Sequence, residues 1–138
     1  MHPWYMLNWC HGAAGIGLSR LGMPGVLATD SIADADAAVC AVQAWGVQEI
    51  DHLCCGNAGR SELLLLSAAR HGRDDLRAEA GRRAGWMIAR AEANGGFSLF
   101  PNLPDRVFSP GLFQGTAGIG YHLLRLVDAS LPSVLLLN

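Results

Sequence analysis

Three stretches of this chain share one pattern. "HGAAGIGLSRL" begins at His11, "CGNAGRSELLL" at Cys55 and "QGTAGIGYHLL" at Gln114. Each reads x-G-x-A-G and runs into an apolar segment suited to a helix. The glycines fall at 12, 56 and 115 and again at 15, 59 and 118, with spacings of 44 and 59 residues. Repeats on that scale are helical hairpins, and one hairpin cannot bury its apolar face alone. The chain must therefore stack its repeats in a solenoid or close them into a ring.

The segments between the motifs predict amphipathic helices. Residues 31–45 open with Ser31 and Asp34 at capping-box spacing, carry an apolar stripe of Ile32, Ala35, Val39 and Val42, and end at Gly46. Residues 75–93 place Leu76, Ala80, Ala84, Met87, Ile88 and Ala91 on one face. Arg77, Glu79, Arg82 and Arg83 fall elsewhere, and Asn94, Gly95 and Gly96 stop the helix. "RSELLLLSAA" is apolar around most of its circumference, which implies burial on several sides. Ile119, Leu123, Leu126 and Val127 form a stripe after the third motif. The order reads inner helix, outer helix, inner, outer, loop, inner. The loop from Gly95 to Gly111 carries Pro101, Pro104 and Pro110 and admits a short hairpin but no helix. "SVLLL" reads as a closing extended segment. The expected fold is all-α: a partial α/α toroid of inner and outer helical hairpins. A motif-bearing segment, Trp4 to Gly17, opens the chain with no capping helix before it, so residues 1–138 are expected to be part of a larger domain.

Composition agrees. Hydrophobic residues make up 51% of 138 and charged ones 16%, an apolar balance for a free-standing domain of this size. A net charge of -2 gives no basic field for nucleic acid or anionic lipid. There is no signal-peptide pattern, and no apolar run is long enough to span a bilayer. Four cysteines without an export signal imply a cytoplasmic protein. There, clustered thiols serve as metal ligands or catalytic groups more often than as disulfides.

The chemistry-bearing residues sit on the repeat. Just before the first glycine come Cys10-His11, Cys54-Cys55 and Phe113-Gln114. Two repeats thus offer thiols at the N-terminal lip of an inner helix. If inner helices surround one axis, the lips converge and Cys10, Cys54 and Cys55 share one ion. A helix N-terminus favours an anion, so thiols there are expected to ionise readily, and the following glycine is expected to leave room beside the sulfur. Three thiolates suit Zn2+ with one coordination position open, the catalytic arrangement. His11 stands open between fourth ligand, support for a ligand, and proton donor. Cys40 reads as a small core hydrophobe. His2, His52, His71 and His122 lack such a context, although His52 lies two residues from Cys54. "RSE" and "HGRDD" read as solvated charges. "GAAGIG" lacks the preceding strand of a dinucleotide loop.

"WCHGAAGIGLSRL", "DHLCCGNAGRSELLL" and "PGLFQGTAGIGYHLLRL…LPSVLLL" together resemble the C-terminal part of the LanC-like cyclase domain of class II lanthipeptide synthetases. The double cysteine resembles the bifunctional class rather than the stand-alone cyclases. The resemblance implies an α/α toroid with central zinc held by Cys10, Cys54 and Cys55, with His11 beside the metal as a candidate catalytic group. It implies an enzyme forming lanthionine and methyllanthionine thioethers, in which a cysteine thiolate of a dehydrated precursor peptide adds to dehydroalanine or dehydrobutyrine. The partners implied are that peptide with its leader, an upstream dehydratase and the remaining toroid repeats, where the family's acid/base histidine and aspartate lie. Without them the isolated chain is expected to be inactive. Two other readings compete: a zinc-stabilised helical interaction module with four protein ligands, and a toroid glycosidase. The glycosidase needs a carboxylate pair, for which only Glu62 and Asp105 lie near motif or loop segments.

Overall fold

The computed structural model describes residues 6–23, 28–103 and 107–136. Its elements are five helices: α1 (Ala13–Gly22), α2 (Ala28–Trp45), α3 (Asn57–His71), α4 (Asp74–Asn94) and α5 (Thr116–Val127). No strand occurs among the described residues. Helices α1 and α2 pair as one hairpin and α3 and α4 as the next. Helix α3 lies between α1 and α5, so the three motif-bearing helices form the inner row. The inner–outer order read from the sequence holds.

Burial follows from this arrangement. In α3 the run from Asn57 to Leu65 is buried without a break, because neighbours cover it on several sides. Helix α2 buries Ala35, Ala38, Val39 and Val42, and α4 buries Leu76, Ala80, Ala84, Met87 and Ala91. Three residues of the expected stripes face outward instead: Ile32, Ile88 and Val127, the last 87% exposed. They lie at the margins of stripes whose centres are covered. Helix α2 also begins three residues earlier than its capping-box pattern implied, so Ser31 and Asp34 lie inside the helix and Asp34 pairs with Arg20 instead. Arg83, which the sequence places off the apolar stripe, is nevertheless buried. It bonds Glu79 and donates to the carbonyls of Val42 and Gly46, where the negative end of α2 welcomes a cation. The described part of the "SVLLL" segment, residues 133–136, is a turn rather than a strand, with the Leu136 amide bonded to the Ser133 carbonyl; Leu137 lies outside the described residues.

The repeated motif has a physical explanation. None of α1, α3 and α5 has a side-chain N-cap. Instead the preceding loop folds back over the helix and caps it with its own backbone. The first helical amide donates to a carbonyl seven residues upstream in every copy: Ala13 to Met6 at 2.9 Å, Asn57 to Ile50 at 2.8 Å and Thr116 to Ser109 at 2.9 Å. This satisfies donors that a helix start leaves unpaired. It also brings loop backbone against the first turn. A Cβ at Gly15, Gly59 or Gly118 would lie 2.0, 1.9 or 1.8 Å from the carbonyl oxygen of Trp9, Leu53 or Leu112. These second glycines therefore admit the loop, and a Cβ at Gly12 or Gly56, the glycines that follow the cysteine positions, would likewise lie 2.2 or 2.4 Å from the carbonyl oxygen of Met6 or His52.

This gives a paired prediction. Gly59→Ala is expected to destabilise the chain by about 3 kcal/mol or more, since rigid backbone blocks the methyl. Gly85→Ala, on an exposed helix position with nothing within 4 Å, is expected to stabilise by about 0.5–1 kcal/mol. Urea unfolding of both variants checks the contrast.

Candidate metal centre

The three loops that cap the inner helices meet at one end of the row. The Trp9 amide donates to the Cys54 carbonyl at 3.0 Å, and the Cys54 amide donates to the Phe113 carbonyl at 2.8 Å. Loop two is thus tied by one residue to both of its equivalents. Trp9 and Phe113 stack with ring centroids 5.2 Å apart and an interplanar angle of 3°. Trp9 Nε1 also donates to the Leu135 carbonyl, so the C-terminal turn holds the ring from behind.

These ties bring the predicted thiols together. Cys10 Sγ lies 3.5 Å from Cys55 Sγ, and Cys55 Sγ lies 3.4 Å from Cys54 Sγ. All three sulfurs fall within 4.8 Å of one another and constitute a group able to hold a metal ion. Zn–S bonds of about 2.3 Å set the edge of a tetrahedral sulfur site at about 3.8 Å, so the spacing fits such an ion after small adjustment. The cysteines are free thiols, and the shortest separations are far beyond a disulfide bond of about 2.05 Å. His11 stands outside the sulfur group. Its Nδ1 meets Cys10 Sγ at 3.0 Å, a hydrogen-bonding contact.

Electrostatics correct one expectation. Burial, with hydrogen bonds to Cys10 and Cys55, pushes the Cys54 thiol up to about 12. Burial also raises Cys55. The favourable helix terminus is outweighed because three sulfurs crowd one partly covered space. A bound cation would offset that cost at Cys54 and Cys55.

The surroundings fix the second loop. Asp51 is wholly buried and accepts from Arg90 at 2.5 Å, from Asn57 and from the Ser98 amide. Outer helix α4 thereby anchors the loop that carries Cys54 and Cys55. His52 is buried, and its Nδ1 accepts the Cys55 amide at 3.2 Å, which leaves the ring proton on Nε2. Burial also holds the His52 ring below its usual pKa, in the neutral form. Arg60 donates to Asn8 Oδ1 in the first loop and to the Cys55 carbonyl in the second.

Cys10 and His11 are exposed and open on a cleft of about 320 Å3 lined also by Trp9, Ile16, Ser19 and Arg20. Within the sulfur group Cys54 is buried and Cys55 half-buried, and Cys10 is the member that opens on the cleft.

Other sequence candidates lie elsewhere. Cys40 is exposed on α2, not core filler. His71 is exposed at the end of α3, and His2 and Asp105 lie outside the described residues. "HGRDD" is solvated, with an exposed Arg73–Asp75 pair. "RSE" is not: Arg60, Ser61 and Glu62 are all buried. Glu62 accepts from His122 Nδ1 at 2.7 Å, Arg125 Nε at 2.9 Å and Ser133 Oγ at 3.1 Å. A carboxylate so enclosed is structural, which removes the acid that a glycosidase reading needed. The repeat did contain a signal for Arg60. It follows the second glycine, where the other copies have Ile16 and Ile119.

A family model described as "Lanthionine synthetase C-like protein" matches residues 2–136.

Proposed function

Because this chain belongs to the lanthionine synthetase C-like family, we propose that it is a zinc-dependent cyclase unit that closes thioether rings in a dehydrated precursor peptide. The observation that carries the reading is three sulfurs from two distant segments gathered in one group, one of which, Cys10, lines an open cleft. Cys10, Cys54 and Cys55 are the residues that would hold the ion. Zinc, when bound, supplies the positive charge that keeps a peptide thiol ionised and nucleophilic near neutral pH.

The chain's own residues supply the rest. The backbone ties at Cys54 keep its thiol in the inner wall, while Cys10 faces the cleft where a peptide thiol enters. Addition joins that sulfur to the Cβ of dehydroalanine or dehydrobutyrine and leaves an enolate, whose Cα must receive a proton. His11 Nδ1 is engaged with Cys10, and its Nε2 is the atom assigned here to deliver that proton. The apolar Trp9–Phe113 stack backs the centre. The paired Cys54–Cys55 supports assignment to the bifunctional class, with an upstream dehydratase and further toroid repeats as partners and the cytoplasm as the site of action.

The competing reading is a closed structural zinc site with His11 as fourth ligand. X-ray absorption on the zinc-loaded chain separates the two. Three sulfurs are expected, rising to four when a small thiol is added. Three sulfurs and one nitrogen, unchanged by thiol, would sink the cyclase reading. Ring closure itself conserves mass and consumes one free thiol. It is scored by loss of maleimide labelling on a dehydrated peptide, with the remaining toroid repeats supplied.

A further inference from the structure

Arg60 lies in the first turns of α3 and is only 7% exposed. Its described hydrogen bonds go to neutral oxygens: Asn8 Oδ1 at 3.2 Å, the Cys55 carbonyl at 3.0 Å and Asn57 Oδ1 at 3.4 Å. Its Nε is buried without a partner. Among the described residues no carboxylate forms an ion pair with it. The two nearest along the chain are taken, Asp51 by Arg90 and Glu62 by Arg125 and His122. A buried guanidinium without a counter-charge is costly.

The sulfur group supplies the missing charge. Three thiolates around a dication carry a net charge of -1, and Arg60 holds the carbonyl of one of those cysteines. We propose that Arg60 is a positioning residue and built-in counter-cation for the metal-thiolate centre, joining the first and second motif loops and neutralising the centre they form. This rests on the metal reading above. It also explains why the second repeat alone replaces an apolar residue by arginine at this position.

The proposal requires opposite effects in the stripped and loaded protein. Arg60→Met keeps length and removes charge; Arg60→Lys keeps charge and loses the planar fork. Zinc affinity is measured on the full chain by competition with a chromophoric chelator. It is expected to fall at least tenfold in Arg60→Met and less than threefold in Arg60→Lys. After metal removal, Arg60→Met is expected to melt no lower than the stripped wild type, because it no longer buries an unpaired charge. In the cobalt-loaded chain the sulfur-to-metal charge-transfer band is expected to move to longer wavelength in Arg60→Met alone. Zinc affinity within threefold of wild type in Arg60→Met overturns the proposal. So does a parallel loss of stripped stability and affinity in both variants, which marks a mere tether, or failure of Arg60→Met to fold. A wild-type chain that binds no zinc sinks the metal reading itself, whereas a zinc-binding chain indifferent to Arg60 sinks only this inference.

Discussion

Cys54→Ala is expected to lower zinc affinity by more than about a hundredfold and to abolish ring formation while leaving the fold in place. Losing a residue that merely supports a ligand typically costs about 10–100-fold in metal affinity, and losing a donor atom should exceed that. The fold survives because the structural work of Cys54 is done by its backbone. Its amide and carbonyl tie the second loop to the third and the first, and neither bond involves sulfur. The lost packing is one sulfur atom, so stability should fall by about 1 kcal/mol. Chelator competition and urea unfolding on the same sample separate the two effects. Cys40→Ala is the control: that thiol is exposed on α2 and should change neither value. Unaltered zinc affinity in Cys54→Ala would remove the basis of the metal centre.

Glu62→Gln is expected to be the most destabilising conservative change, costing about 3–5 kcal/mol, the usual result of removing one partner of a buried ion pair. Glu62 is 1% exposed and serves three donors from α5 and the C-terminal turn. Burial alone would raise its pKa; the bonds from His122, Arg125 and Ser133 overcome this and hold it below the ordinary carboxylate value. The sign of the pH effect follows. A depressed folded-state pKa contributes stability that is fully present above the unfolded value, about 4.3. That contribution is lost as pH falls through the folded-state pKa. Wild type should therefore lose stability on acidification below about pH 4, and Glu62→Gln should lack this part of the dependence. The effect should also reach the sulfur group. Ser133 and Leu135 belong to one turn, and Leu135 holds Trp9 beside Cys10. A measurable drop in zinc affinity alongside stability is expected; unfolding curves of equal midpoint for the two proteins would refute the structural role given to Glu62.

Much of this arrangement was legible in the residues. The glycine repeat fixed three equivalent helix starts, and equivalence placed Cys10, Cys54 and Cys55 on equivalent lips. Periodicity found the covered faces of α2 and α4 but not their margins, since a stripe has no way to record how far a neighbour reaches over it. Thus Ile32, Ile88 and Val127 were misplaced. Charged residues were read least well. Arg60, Glu62 and Arg83 look like ordinary surface charges because burying each depends on partners at a distance: Asn8 for Arg60, His122 and Ser133 for Glu62, and Val42 for Arg83.

The sequence alone determined the number of repeats, their inner and outer helices and which sulfurs occupy matching positions, because these depend on local pattern and chain order. Only the tertiary structure decided that the loops bond to one another, that the motif glycines admit those loops, and that burial makes the Cys54 and Cys55 thiols resist ionisation. Those outcomes depend on distances between segments remote in the chain, and both hydrogen bonding and desolvation respond to such distances rather than to spacing along the sequence.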